Sequence, residues 1–302
     1  MKILLSCLNF NSLTGSELYF YDLACGLKKI GCDVSILSNL KDGMLYQKAE
    51  KQGISCYDFT IAPNSKSVFD VIIASHRPII ELFIEKNLYP NIPIISVNHS
   101  EIIPLEYPVI DKRVIHYIAI RESIKKYLEN SYFILSEDIS LIMNPINTDK
   151  LLSVKKNKNI KRKRVVFPAT IDYLRKNTIK NLSEKSLVED FDLVLIGKIN
   201  GDNYIDEIKN KNVFIAEQTW NIQKYYANAT HTSGIQLGRT EIEGYFFNLP
   251  CYRYTVDKNG TILSFSEVQP PSLEYCFDTF GYISVAKKIK FLCEKLINLK
   301  NN

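Results

Sequence analysis

Long apolar runs are missing from this chain. Nowhere do about 18 uninterrupted apolar residues occur, so no segment reads as a membrane-spanning helix. The opening Ile3-Leu4-Leu5-Ser6-Cys7-Leu8 is too short for the apolar core of a secretory leader, and polar Asn9-Phe10-Asn11-Ser12 follows at once. It reads as a first β-strand. Cysteine-pairing signals are missing too. The seven cysteines (Cys7, Cys25, Cys32, Cys56, Cys251, Cys276, Cys293) are odd in number and never spaced Cys-x-x-Cys. That argues against a disulfide framework or a zinc site and for a reducing compartment, the cytoplasm. Charge of one sign is scarce: the formal net charge is +5. This mildly favours anionic ligands, and without an RNA- or DNA-binding signature it makes nucleic acid no expected partner. What is present is ordinary globular composition, 46% hydrophobic and 24% charged over 302 residues. It excludes a disordered chain and allows two modest domains.

Short apolar, β-branched runs alternate with segments of helical period, the rhythm of βαβ units around a parallel sheet. Strands are expected at Ile3–Leu8, Val34–Leu37, Ile54–Phe59, Val68–Ala74, Ile92–Val97 and Val114–Ile120, with helices at Gly15–Ile30, Ile79–Glu85 and Glu122–Glu129. Val68–Ala74 is almost wholly apolar, as befits a central strand covered on both faces. A basic stretch follows, with Lys155, Lys156, Lys158, Lys161, Arg162, Lys163 and Arg164, expected as solvated linker or as a contact with an anionic membrane surface.

The βα rhythm then restarts. Strands are expected at Arg164–Phe167, Asp192–Ile196, Asn212–Ile215, Ser233–Leu237 and Cys251–Val256, and helices at Thr178–Val188, Tyr204–Lys209, Ile222–Ala229 and Thr240–Phe247. A last helix, Tyr282–Leu299, puts Tyr282, Val285, Ile289, Leu292, Leu296 and Leu299 on one face. The fold class expected is α/β, with two Rossmann-like doubly wound parallel-sheet domains facing a cleft. Residues 1–147 form the first domain, 148–163 a basic linker, 164–281 the second domain and 282–302 a terminal amphipathic helix.

In open α/β sheets ligands sit outside the carboxyl ends of the strands, so the loops after strands are the places to search. Asn9–Glu17 ends in Gly15 and Ser16 at a helix start, where free N–H groups and the dipole favour an anion; the glycine could also serve a tight turn and the serine a cap. His99 follows a buried strand and can donate or accept a hydrogen bond near neutral pH. His76 occupies a comparable place, whereas His116 lies within a strand and reads as structural. Arg175 and Lys176, after the first strand of the second half, could clamp a diphosphate and stabilise the charge it gains on leaving. The most specific segment is Gly234-Ile235-Gln236-Leu237-Gly238-Arg239-Thr240-Glu241-Ile242-Glu243-Gly244. Backbone amides at Gly238, Arg239 and Thr240 could hold phosphate oxygens, and Glu243, one turn into the helix, could accept from ribose hydroxyls. The plainer reading is a capped helix with dipole-favoured acids. Asp190-Phe191-Asp192 mimics a metal-binding Asp-x-Asp but precedes a strand, at the wrong end of the sheet; no metal is expected.

Gly-Arg-Thr-x-x-Glu-Gly at Gly238–Gly244, followed by Asn248-Leu249-Pro250, resembles the donor-site segment of GT-B glycosyltransferases, especially glycosyltransferase family 4. Gly15-Ser16-Glu17, Gly31-Cys32-Asp33-Val34, Ile118-Ala119-Ile120-Arg121-Glu122-Ser123 and Asn144-Pro145-Ile146-Asn147 resemble further family segments in the right order. The resemblance implies transfer of a sugar, with retention, from a nucleoside-diphosphate sugar to a hydroxyl of an acceptor glycan or lipid-linked sugar in polysaccharide or glycoconjugate synthesis. No cofactor is implied. His99 would stand near the donor sugar, Gly15 near the diphosphate, and Arg175 and Lys176 would neutralise the leaving group. Gly238, Arg239 and Thr240 would contact phosphates and Glu243 the ribose. Two departures stand out: Ile235 occupies the place of the first of two family glutamates, and Ala169-Thr170 replaces a Gly-Arg. They leave open a sugar-nucleotide epimerase or a non-catalytic binding protein on the same fold.

Overall fold

The computed structural model describes residues 1–39, 43–60, 69–101, 103–201 and 204–301. By internal contacts they form two compact units, Met1–Asn147 with Asp278–Asn302, and Thr148–Phe277.

The first unit carries a seven-stranded parallel sheet. Its strands are β1 (Lys2–Ser6), β2 (Asp33–Ser38), β3 (Ser55–Asp58), β4 (Val71–Ser75), β5 (Ile94–Asn98), β6 (Val114–Ala119) and β7 (Ile139–Leu141), in the order β3-β2-β1-β4-β5-β6-β7. Helices α1 (Gly15–Lys29), α2 (Met44–Lys51), α3 (Arg77–Glu85) and α4 (Glu122–Tyr132) connect them. Every residue of β4 and β5 is buried. This is why β4 reads as a nearly continuous apolar run rather than as alternation, while β5 buries the polar Ser96 and Asn98 as well. β4 opens at Val71; Val68, the start expected for it, lies outside the described residues. The strand order reverses between β1 and β4, a switch point of the kind where ligands bind.

The second unit holds α5 (Thr148–Leu151), β8 (Arg164–Pro168), α6 (Lys176–Val188), β9 (Asp192–Ile196), α7 (Ile205–Ile208), β10 (Val213–Ala216), α8 (Gln223–Ala227), β11 (His231–Ile235), α9 (Arg239–Tyr245), β12 (Cys251–Val256) and β13 (Ile262–Val268). The sheet order is β10-β9-β8-β11-β12-β13, and only β13, paired with β12, runs antiparallel. Its switch point lies between β8 and β11. Val165, Phe167, Leu193, Leu195 and Tyr254 form the core with Ile179 and Leu182 of α6. α10 (Leu273–Phe280) follows, and the chain returns to the first unit with α11 (Tyr282–Asn301).

Five elements carry too weak a pattern to be read in advance. β7 buries Ile139 alone, β13 has no buried residue, α2 buries Leu45 and Ala49, α5 is a four-residue turn inside the stretch expected as linker, and α10 spans the chain boundary between the two units at Phe277 and Asp278. The stripe of α11 is also shorter than its sequence suggests. Tyr282, Val285, Ile289 and Cys293 are buried, but Leu299 is 64% exposed. Close packing of α11 on α1 depends on Gly26, where a Cβ would stand 2.5 Å from the Tyr282 carbonyl oxygen.

The basic stretch is not solvated throughout. Arg162 pairs with Asp190 at 2.7 Å and Asp192 at 3.0 Å, Lys163 with Glu189 at 3.0 Å, and Arg164 with Asp192 at 3.1 Å. Those carboxylates, including both of Asp190-Phe191-Asp192, lie at the amino end of β9 and face the amino end of β8. Among the described residues no helix is long and apolar enough to cross a membrane.

Candidate functional site

In the second unit the carboxyl edge of the sheet gathers the expected binding segments at its switch point. β11 stops at Ile235, earlier than expected, because Gln236 turns into the left-handed region (φ 55°) and donates its amide to the Tyr254 carbonyl. Gly238 then serves as the N-cap of α9, and Thr240 Oγ1 donates to the Pro168 carbonyl at 2.9 Å, tying α9 to the end of β8. The Gly238 amide donates to the Gln236 carbonyl at 2.9 Å, so that N–H is engaged within the turn rather than offered to a phosphate. The amides of Arg239 and Thr240 stand in the first turn, where a helix supplies no acceptor.

The two acids of α9 separate into different environments. Glu241 is fully buried and held by Arg253 of β12 and by the Tyr245 hydroxyl. Glu243 is 6% exposed; its Oε1 accepts from Arg239 Nε at 2.7 Å and its Oε2 from the Tyr226 hydroxyl at 3.0 Å. Glu243 is therefore the core of a buried network. Each carboxylate oxygen still has an acceptor site in principle. Burial, with the Glu243 charge beside it, holds the Tyr226 phenol well above its ordinary pKa, so the hydroxyl stays protonated and keeps donating.

Arg175 and Lys176 are not a bare cationic pair. The Arg175 guanidinium pairs with Asp172, whose Oδ1 also accepts the Arg175 amide at 3.2 Å. Lys176, the first residue of α6, lies 3.5 Å from Glu207, which Lys180 also contacts. Both cations sit at the intended edge, but each already has a carboxylate. Ile235, where a family glutamate would face a sugar, packs instead against the apolar core.

In the first unit, Gly15 opens α1 behind an N-cap at Thr14, so Ser16 lies inside the helix and does not cap it. A Cβ on Gly15 would meet nothing within 4 Å, and its φ is not positive. Neither packing nor backbone conformation requires a glycine there. Glu17 folds the preceding loop over the helix start, accepting from the Ser12 amide at 2.7 Å and the Ser12 hydroxyl at 2.8 Å.

His99 follows β5 directly. Its ring lies among Tyr19, Phe20 and His76, with centroids at 4.8, 6.2 and 6.2 Å. Its Nε2 is sealed and has no hydrogen-bond partner among the described residues. Burial, the largest cause, helped by His76 and Arg121, lowers its pKa to about 4 against the pull of Glu106. The ring is thus neutral imidazole at neutral pH, a hydrogen-bonding group rather than an acid. Glu106, absent from the expected site, is the group that organises this corner. A lone carboxylate in the apolar run Pro104-Leu105-Glu106-Tyr107-Pro108 was its only mark in the sequence.

No protein-family model matches the chain, and no curated protein sequence matches it. Solved structures do. Anabaena Alr3699/HepE in complex with UDP-glucose superposes with a TM-score of 0.76 at 12% identity, over 98% of this chain and 100% of that one. A glycosyltransferase from Rickettsia africae ESF-5 gives 0.68 at 15% identity, over 99% of both chains. AviGT4, a glycosyltransferase involved in avilamycin A biosynthesis, gives 0.68 at 12% identity, over 98% of both. The fold is that of the GT-B glycosyltransferases.

Proposed function

We propose that this GT-B chain is a glycosyltransferase whose second unit binds the nucleoside diphosphate of an activated sugar. The carrying observation is the switch point between β8 and β11. There Thr240 ties α9 to the end of β8, and Arg239, Arg175 and Lys176 stand at one carboxyl edge with the amino ends of α6 and α9. Helix starts and cations together attract a diphosphate and stabilise the charge it gains as it leaves. Arg175 and Lys176 then act by exchanging Asp172 and Glu207 for phosphate oxygens. Glu243, already oriented by Arg239 and Tyr226, accepts from the ribose.

HepE, with UDP-glucose bound, makes uridine the first base to test. In the transfer, the acceptor oxygen bonds to the anomeric carbon as the bond to the diphosphate breaks, and the hydroxyl proton passes to a departing phosphate oxygen. The result is retention, with no cofactor or metal called on. In the first unit, the groups we assign to a sugar hydroxyl and to an anion are His99, once its sealed Nε2 is uncovered, and the open helix start at Gly15. The acceptor is a glycan or lipid-linked sugar hydroxyl. Seven free and buried cysteines fit a reducing, cytoplasmic setting, and the exposed Lys155, Lys158 and Lys161 would favour contact with an anionic membrane face.

Calorimetry with UDP tests the reading. The wild-type chain binds it, and Arg239→Ala weakens binding at least tenfold, about 1.4 kcal/mol. Unchanged affinity in that variant removes α9 from the site. The core placement of Ile235 favours one second reading, a nucleotide-binding protein without turnover. UDP binding with no transfer from UDP-glucose to any of a broad panel of acceptors would select it.

A further inference from the structure

Three strand ends of the first unit meet at one buried carboxylate. Glu106, in the 3-10 turn Pro104–Glu106, is 4% exposed. Its Oε1 lies 3.3 Å from Nε2 of His76, and its Oε2 accepts the backbone N–H of His99 at 3.2 Å. Its carbonyl accepts from Asn98 Nδ2 at 3.1 Å. His76 in turn accepts the Leu8 amide on Nδ1 at 3.0 Å. A ring nitrogen that accepts carries no proton, so the proton of neutral His76 is on Nε2 and is donated to Glu106. One carboxylate therefore connects the chain just after β1, β4 and β5. Burial alone would raise the Glu106 pKa, but the hydrogen bond from His76, the charge interactions with His99 and His76 and the His99 amide together hold the carboxyl below its ordinary value.

Two further observations set this corner apart from ordinary packing. His76 adopts φ 70° and ψ 119°, a conformation costly for a residue with a side chain, which persists only where the surroundings enforce it. The carbonyl of His99 accepts from Arg121 Nη1 at 3.5 Å, and Arg121 is itself paired with Glu101. His99 is thus gripped at its amide and its carbonyl, while its own Nε2 is left without a partner among the described residues.

We propose that Glu106 is a positioning residue for His99: it anchors the His99 amide and locks His76 in the Nε2–H tautomer, and so fixes the His99 imidazole, whose sealed Nε2 meets a sugar hydroxyl only when the rings packed around it part. The sugar contact rests on the function proposed above; the anchoring does not. The arrangement demands a carboxylate. Two donors, His76 Nε2–H and His99 N–H, face two acceptor oxygens. A glutamine in the same place offers one acceptor and one donor, so either the His99 contact becomes donor against donor, or His76 must move its proton and give up the Leu8 amide.

The test uses the full chain with 15N-labelled histidine, comparing wild type, Glu106→Gln and Glu106→Asp, with UDP and UDP-glucose as probes. In the wild type, His76 shows the Nε2–H tautomer, and His99 Nε2 shifts when UDP-glucose is added. In Glu106→Gln the His76 tautomer changes or becomes mixed and the His99 response falls at least tenfold, while UDP affinity stays within twofold. Glu106→Asp, which keeps both acceptors one methylene back, retains the tautomer and recovers part of the response, and it stands in should the glutamine variant not fold. An unchanged His76 tautomer and an unchanged His99 response in Glu106→Gln overturn the proposal. A wild-type chain that binds no UDP would instead overturn the proposed function, and the tautomer comparison would still decide the anchoring.

Discussion

Gly15 and His99 show what single residues decide. Gly15 has open space where its Cβ would be and an ordinary φ, so the protein's own packing gains nothing from a glycine. Gly15→Ala should leave the thermal midpoint unchanged or slightly higher, since alanine is the better helix former by up to about 1 kcal/mol. Turnover with a nucleotide sugar should fall because a methyl group now meets the substrate; a variant with full turnover would show that nothing approaches α1 there. For His99 the sign follows from linkage. The unfolded ring takes up a proton as pH falls through about 6.5, the folded ring not until about 4. Between these values the unfolded state binds more protons, so the stability from a neutral buried ring is complete above pH 6.5 and is lost as the pH drops toward 4. Urea titrations should therefore show the wild type losing about 2 kcal/mol more than His99→Gln between pH 7 and pH 5.

At the scale of elements, the position of α9 on the sheet is set by one glycine. A Cβ on Gly244 would stand 2.5 Å from Thr232 Cγ2 of β11. Gly244→Ala should push α9 off the sheet and cost about 1–3 kcal/mol, displacing Arg239 and Thr240 with it. Gly244→Ala combined with Thr232→Ser removes the offending methyl and keeps the hydroxyl, which donates to the Val166 carbonyl at 3.3 Å. The double variant should recover most of the melting temperature and the UDP affinity; failure to recover would mean that the contact is not what seats the helix. The Glu241–Arg253 pair is a second such device. Arg253→Met strands a fully buried carboxylate and should cost about 3–5 kcal/mol by urea unfolding. The elements themselves were largely legible: α1, β9, α9 and β12 lie within two residues of their expected ends. Those that were not, such as β13 with its exposed face, lack the burial that writes a period into a sequence.

At the scale of the molecule, the second unit is one continuous segment, Thr148–Phe277, while the first is closed by a helix from the end of the chain. The segment 148–277, expressed alone, should fold and bind UDP within several-fold of the whole chain. UDP at 100 times its Kd should stabilise it by about 2.7 kcal/mol. Removing residues 282–302 should destabilise the first unit, by uncovering α1 along Gly26, and leave the melting of the second unchanged. Two-transition calorimetry separates these outcomes.

The order of residues along the chain was enough to determine the alternation of strand and helix, the central strands and the segments lying at strand ends. Each of these depends on burial period and turn chemistry between near neighbours. Tertiary structure alone decided that Glu207 meets Lys176, that Arg253 claims Glu241 while Tyr226 claims Glu243, and that Glu106 reaches both His76 and His99. Composition shows that a charge is present, but its partner is whichever opposite group folding brings within hydrogen-bond distance. For most of these charges that partner stands on another strand, helix or loop, where no local period records it.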